Sequence, residues 1–274
     1  MILAIWAPEK AWKTTMALSF PRPIDHYDLD VGGFDRAAWR LNLDDINSKP
    51  YPTPIQMEKL LGQTKEGVSI KFPKRILGVK EVWQQIVIDF VASCQNPKVK
   101  TIAIDSATQL WAIDHRSYLQ EVQERQLYRF THDKEGKIVP NRKEEDFPEN
   151  DFRERLQPIE YAEPNDRMRT LIYTARSYGK HLVLTHYPRD VYASKVTDRG
   201  IEEYKTGDVE PDGFKDTQKL VDIVIWIQAD PKTNIITAKI TKCGLEGLGT
   251  AAVGLAIEPS YQGILDLQAR FRGE

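Results

Sequence analysis

Cysteine is almost missing from this chain: Cys94 and Cys243 are the only two, with no CxxC pair and no pair of histidines beside them. That excludes a disulfide framework, argues against a zinc site, and points to the reducing cytoplasm. Long apolar runs are missing as well. The apolar opening at residues 2–7 runs straight into Pro8-Glu9-Lys10, too short for a secretory leader, and no run approaches the ~18 apolar residues of a membrane helix. No membrane partner is expected. Neither sign of charge is in excess: 38 Lys+Arg against 40 Asp+Glu leave a net charge of −2 over 274 residues. A wholesale basic surface for nucleic acid is excluded, while a local basic patch is not. What is there is ordinary globular composition, 41% hydrophobic and 28% charged, enough for one large α/β domain.

Short runs rich in β-branched residues alternate with helical patterning. Strands are expected at residues 2–6, 24–30, 100–105 and 181–186, and helices at about 13–20, 79–93, 107–127 and 159–178. Pro21 and Pro23 stop the first helix and Gly179 the last. Beyond that, residues 188–213 alternate polar and apolar around Asp198-Arg199-Gly200, which predicts a β-hairpin. A short helix over 214–220, strands at 221–229 and 234–242, and a last strand near 251–257 close the chain. The expected class is α/β, with a mainly parallel central sheet, helices on both faces and antiparallel C-terminal hairpins, in a single domain over 1–274. Two stretches read as insertions. Residues 34–78 are broken by Pro50, Pro52, Pro54 and Pro73, with one short helix near 56–61. Residues 128–158 lie in a solvated segment, since 15 of the 30 residues from 131 to 160 are charged and six are hydrophobic.

The chemistry concentrates where strands end. Ala7-Pro8-Glu9-Lys10-Ala11-Trp12-Lys13-Thr14-Thr15 follows the first strand and opens the first helix. A phosphate-binding P-loop has the pattern GxxxxGK[ST] in that context, where backbone N–H groups cradle phosphate, Lys neutralises it and Ser/Thr holds Mg²⁺. Lys13 and Thr14 fit that pattern, whereas Ala7 and Trp12 stand where it has glycine. The strand at 100–105 ends in Asp105, the form of an acid that supports Mg²⁺ opposite the P-loop hydroxyl, and equally of a helix N-cap. Asp30 ends the second strand before Gly32-Gly33, suited to orient an attacking water or simply to make a turn. Thr185-His186 ends the fourth strand, where His186 could sense a phosphate or serve as a hydrogen-bonded strand end.

Taken in order, the Walker-A-like loop, Asp28-Leu29-Asp30 with its two glycines, Thr101-Ile-Ala-Ile-Asp105-Ser106, Glu160-Tyr161-Ala162 and Leu-Val-Leu-Thr185-His186 resemble phage-encoded RecA/Rad51-like ATPases. Within that group they are similar to the small single-strand-annealing recombinases that are little more than a RecA core. The resemblance covers about residues 2–245 outside the two insertions. It implies a RecA-like P-loop core, ATP and Mg²⁺ as ligands, host-cell cytoplasm as the location, single-stranded DNA as partner, and a homo-oligomer in a ring or filament. It would place Lys13 on the β/γ-phosphates, Thr14 and Asp105 at the magnesium, Asp30 at the hydrolytic water and His186 as sensor. Thr241-Lys242-Cys243-Gly244 resembles a late Lys-x-Arg segment of the group, with Gly244 at the arginine position. Arg167, Arg169 and Arg176, on one expected helix, are candidates for an arginine offered to a neighbour's site.

Downstream of His186, Arg189, Lys195, Arg199 and Lys205 are interleaved with Tyr187, Tyr192 and Tyr204, a mixture able to neutralise DNA phosphates and stack unpaired bases. Asp190, Asp198, Glu202 and Glu203 cancel that charge if the segment is an ordinary solvated hairpin. Three functions follow: an ATPase acting on single-stranded DNA in recombination, annealing or repair; a non-hydrolysing P-loop module that binds DNA or protein; and a small-molecule kinase with Arg129, Arg142, Arg153 and Arg155 in a lid.

Overall fold

The computed structural model describes residues 1–30, 32–52, 74–127, 130–132, 135, 138–140, 152–197, 200–230, 232–233 and 235–273. In chain order the strands are β1 (Ile2–Trp6), β2 (Ile24–Asp28), β3 (Ile46–Pro50), β4 (Thr101–Asp105), β5 (Phe130–His132), β6 (Ile138–Pro140), β7 (His181–His186), β8 (Pro188–Thr197), β9 (Gly200–Pro211), β10 (Ile223–Ala229), β11 (Ile236–Cys243) and β12 (Ala256–Ile257). The α-helices are α1 (Lys13–Ala17), α2 (Gly33–Ala38), α3 (Val79–Gln95), α4 (Ala107–Leu127), α5 (Ala162–Ser177), α6 (Thr217–Leu220) and α7 (Tyr261–Arg272). Two compact units result, one of Met1–Tyr51, Phe90–Leu110 and Met168–Glu274, the other of Pro52–Asp89 and Trp111–Arg167.

The first unit is built on an eight-stranded sheet in the order β12-β11-β10-β1-β7-β4-β2-β3. The six strands from β10 to β3 run parallel, and β11 and β12 add an antiparallel edge. β1 and β4 are buried at every residue, as strands covered on both faces must be. Leu3, Ile5, Ala103, Val183 and Ile225 form one core with Met16 and Ala17 of α1 and Ile264 and Leu267 of α7. On the opposite face Tyr27 packs against Phe90 of α3 and exchanges a hydrogen bond with Ser93 at 2.8 Å. The second unit is ordered by buried amides. Gln120 Oε1 accepts from Val79 N and Lys80 N at the head of α3, and Gln123 Oε1 accepts from Ile76 N. β5 and β6 pair antiparallel.

The sheet differs from the sequence reading at three places. Residues 34–50 are not wholly an insertion: α2 follows β2, and β3 joins the sheet at its edge, pairing parallel with β2. Its sequence Ile-Asn-Ser-Lys-Pro has one apolar residue besides proline, because an edge strand needs no continuous hydrophobic run. The last strand is two residues, preceded by a 3₁₀ turn at Gly249–Ala252. It is followed by α7, a helix the sequence reading lacked, capped by Ser260 Oγ accepting from Gly263 N at 3.0 Å. The helix expected at 214–220 shortens to α6. The expected helix at 56–61 and the turn residues Asp198 and Arg199 lie outside the described residues, as do Arg129 and Arg142.

Candidate functional site

In an open parallel sheet, ligands bind beyond the carboxyl ends of the strands. Here those ends carry Asp30 just after β2, Asp105 on β4, Thr185 and His186 on β7, and the 7–12 loop after β1. Asp105, 1% exposed, is the hub. Thr14, in the first turn of α1, donates its hydroxyl to Asp105 Oδ2 at 2.5 Å. Thr185 donates to Oδ1 from the neighbouring strand, and His26 Nε2 stands 3.8 Å from Oδ2. Burial works to raise the Asp105 carboxyl, but the imidazole and the two hydroxyls outweigh it and hold the group below the usual carboxylate range. Asp105 is therefore an anion, and Thr14, giving its proton to it, turns its lone pairs elsewhere.

Lys13 is 6% exposed. Its ammonium donates to the carbonyl oxygens of Ala7 and Pro8, each at 3.0 Å, and lies 4.1 Å from the centre of the Tyr187 ring. Burial pulls its pKa below the ordinary lysine value, against the attraction of Asp105, Asp30 and Glu9. The Tyr187 hydroxyl donates to Asp30 Oδ2. Burial, then Asp30, raise the phenol pKa and keep it protonated.

The loop keeps the backbone of a glycine-bearing turn without the glycine. Trp12 sits in the left-handed region at φ 66°, which costs an L-residue roughly 1–2 kcal/mol. Arg40 lies over its ring at 4.5 Å, a contact that offsets part of that strain. Lys10 is left-handed too, at φ 62°. Ala7 has no positive φ: it continues β1, buried, with its N–H on His186 O at 3.3 Å. Only one of the two missing glycines was thus needed for its backbone freedom.

A crevice of about 500 Å³ opens above this loop, lined by Lys10, Ala11, Trp12, Lys13, Thr14 and Thr15, by Asp30 and Tyr187, and by Gly33, Asp35, Arg36, Trp39 and Arg40 from the α2 side. Gly33 keeps its floor clear. A Cβ there would stand 3.2 Å from Asp105 Oδ2 and 3.3 Å from Thr14 Oγ1. In the sequence Gly33 is only the second glycine after the second strand, and Tyr187 only a base-stacking aromatic; position beyond a strand's carboxyl end is the signal for both.

His186 does not line the crevice. It is 1% exposed, and its Nδ1–H donates to Asp212 O at 2.8 Å. Nε2 is then the bare nitrogen, buried without a hydrogen-bond partner. Burial lowers the imidazole pKa to about 4, so a neutral His186 has no proton on Nε2 to offer a phosphate.

The arginines of α5 are occupied. Arg167 pairs with Glu121 at 3.1 Å and Glu163 at 3.2 Å, Arg169 with Asp216 at 2.6 Å, and Arg176 with Asp222 at 2.8 Å. Arg153, a candidate lid residue, is bound to Glu160 at 2.6 Å. Lys242 donates to the carbonyls of Gln218 and Val221.

β8 and β9 form the expected hairpin. Tyr192 and Tyr204 are 56% and 52% exposed, and Lys195 is exposed. Arg189, however, is held by Glu210 at 2.7 Å, and Lys205 by Asp190 at 2.5 Å. The charge cancellation expected for a solvated hairpin is thus visible at two of its four cations.

Neither a protein-family model nor a curated protein matches the chain. No described helix is long and apolar enough to cross a membrane.

Proposed function

We propose that the crevice binds a nucleoside triphosphate, ATP, with Mg²⁺, and that the chain is a RecA-like P-loop ATPase that acts on single-stranded DNA. The observation that carries this reading is the hydrogen bond from Thr14 to an ionised Asp105, with Lys13 next in sequence at the crevice floor. A hydroxyl and a carboxylate converging beside a lysine are the protein's share of a phosphate-borne magnesium site. Mg²⁺ takes one or two protein ligands and fills its remaining positions with water and substrate phosphates. Among the described residues no group of three or more His, Cys, Asp or Glu could hold a metal ion by itself. The space kept open by Gly33 lies beside both Thr14 and Asp105. Bound Mg²⁺ would neutralise charge on the phosphates. Lys13 would leave the Ala7 and Pro8 carbonyls for the phosphate oxygens, and Asp30 would orient water with the oxygen that Tyr187 does not engage.

A second reading, a P-loop module that binds without hydrolysing, is favoured by one observation. Lys13 is already satisfied by two carbonyls and an aromatic face.

Thermal melting tests the first step. Saturation at a hundred times Kd adds about 2.7 kcal/mol, or roughly 5–10 °C for a chain of this size. Mg-ATP is expected to raise the melting temperature of the parent and to leave Lys13→Ala unchanged. No shift in the parent, or an equal shift in the variant, removes the nucleotide from the account. ATP turnover with and without single-stranded DNA then separates the ATPase from the non-hydrolysing module.

A further inference from the structure

The crevice has more positive charge than Lys13 alone supplies, for Lys10, Arg36 and Arg40 line it too, and of these Lys10 and Arg36 pair with no carboxylate among the described residues. Lys13 is bound to backbone carbonyls, and Arg40 lies over Trp12. Arg36, one turn before Arg40, forms no ion pair with any described carboxylate, yet it lines the crevice. Its position is set by the turn after β2. Gly32 caps α2 in the left-handed region at φ 73°, and Arg36 Nη1 lies 3.1 Å from where a Gly32 Cβ would be. The guanidinium is folded back over that turn, which follows β2 and Asp30. Its charge also reaches Lys13, whose pKa it helps to depress.

We propose that Arg36 reads the terminal phosphate from within the same chain, so that the crevice distinguishes a nucleoside triphosphate from a diphosphate without a residue supplied by a neighbour. This rests on the nucleotide reading above. The warrant is chemical as well as positional. A guanidinium fork matches two phosphate oxygens at once and keeps its charge at every physiological pH. The lysine that lines the same crevice is the group that meets the β- and γ-phosphates in a P-loop, so a second cation on α2 lining it with Lys13 faces the terminal phosphate. The arginines on α5, the other candidates for that task, are held in ion pairs with Glu121, Asp216 and Asp222. Gly32 has a steric part: a side chain there would meet the Arg36 guanidinium.

The test is a pair of equilibrium titrations, with Mg-bound non-hydrolysable ATP analogue and with Mg-ADP, on parent, Arg36→Ala and Arg36→Lys. Arg36→Ala is expected to weaken the triphosphate by about tenfold or more, the scale of a lost charged hydrogen bond, and ADP by less than about twofold. Arg36→Lys should lie between, because it keeps the charge and loses the fork. The melting temperature without nucleotide should be unchanged, as Arg36 is exposed. An unaltered triphosphate-to-diphosphate ratio in Arg36→Ala, or an equal fall for both ligands, overturns the assignment while leaving the nucleotide site standing. A parent that binds neither ligand overturns the nucleotide reading itself, and this inference with it.

Discussion

Arg40 lies over the indole of Trp12, its guanidinium carbon 4.5 Å from the ring centre. The contact joins the loop after β1 to the segment after α2, at Trp12, whose backbone is left-handed and where the P-loop pattern would have glycine. Strain and contact work against each other there.

That opposition predicts the order of two variants. Trp12→Gly relieves the left-handed strain but loses the ring contact, so its stability should stay within about 1 kcal/mol of the parent. Trp12→Ala keeps the strain and loses the contact, and should fall about 1 kcal/mol below Trp12→Gly. Urea unfolding of the three proteins measures this; Ala as stable as Gly would mean that the loop relaxes out of its left-handed turn.

Gly33→Ala tests the floor of the crevice. Its Cβ would press on Asp105 Oδ2 and Thr14 Oγ1 at 3.2 and 3.3 Å, closer than most real Cβ contacts. Mg-ATP affinity is expected to drop about tenfold with little change in nucleotide-free stability, the cost of misplacing the metal-side pair by a fraction of an ångström. Isothermal titration with an undiminished affinity would show that neither atom meets the ligand.

Acid should destabilise the protein through His186, which is buried, and His181, which is half-buried. His186 and His181 both have pKa values lowered to about 4 by burial. The unfolded chain takes up their protons near pH 6.5, the folded chain only near 4, so stability is lost as pH falls between those values. One fully buried imidazole contributes a slope of about 1.4 kcal/mol per pH unit in that window. Denaturant midpoints between pH 7 and 4.5 should therefore slide downward, and His186→Gln should flatten the slope. A variant with the parent's slope would place the acid sensitivity elsewhere.

On the hairpin, the ion pairs sort the contributions to the proposed DNA binding. Arg189 is tied to Glu210 and is not free to release a counterion, whereas Lys195 is exposed. Lys195→Ala should lower the slope of log K against log salt by about 0.7, the single-strand value for one phosphate contact. Arg189→Ala should leave it unchanged. Tyr192→Ala should weaken binding by about 1–3 kcal/mol at constant slope, as loss of a stacked base does. Single-strand titrations over a range of salt decide it; slopes indifferent to Lys195 would remove the hairpin from the interface.

The core strands and long helices were legible because burial on both faces writes itself as continuous apolar runs; α4 was expected at 107–127 and spans Ala107–Leu127. β3 was not, since an edge strand of Ile-Asn-Ser-Lys-Pro is half exposed. α7 was missed because its two signals, Ser260 as cap and Ile264 with Leu267 as buried face, follow a glycine-rich stretch that reads as a chain end. In the site, Lys13, Thr14, Asp30 and Asp105 were visible from their places in a pattern. Tyr187, Gly33 and Arg36 were not, because what draws them together is the folding of β2 and β7 side by side with β4, a relation no local spacing encodes. Trp12 stands where the P-loop pattern has glycine, and it takes the turn a glycine would have made.

β1 lies inside the sheet, and its two neighbours come late: β7 begins at His181 and β10 at Ile223. A ribosome adding about 5–20 residues per second needs on the order of ten seconds or more to reach β7 after β1. Through that interval an apolar strand and the loop that follows it have no partners. Such distant pairing slows folding and exposes strand edges to other chains. A nascent chain stalled before residue 181 would hold Lys13, Thr14 and Asp105 and could already pair β2, β3 and β4, but it would lack β7, the strand that joins β1 with its loop to β4 with Asp105.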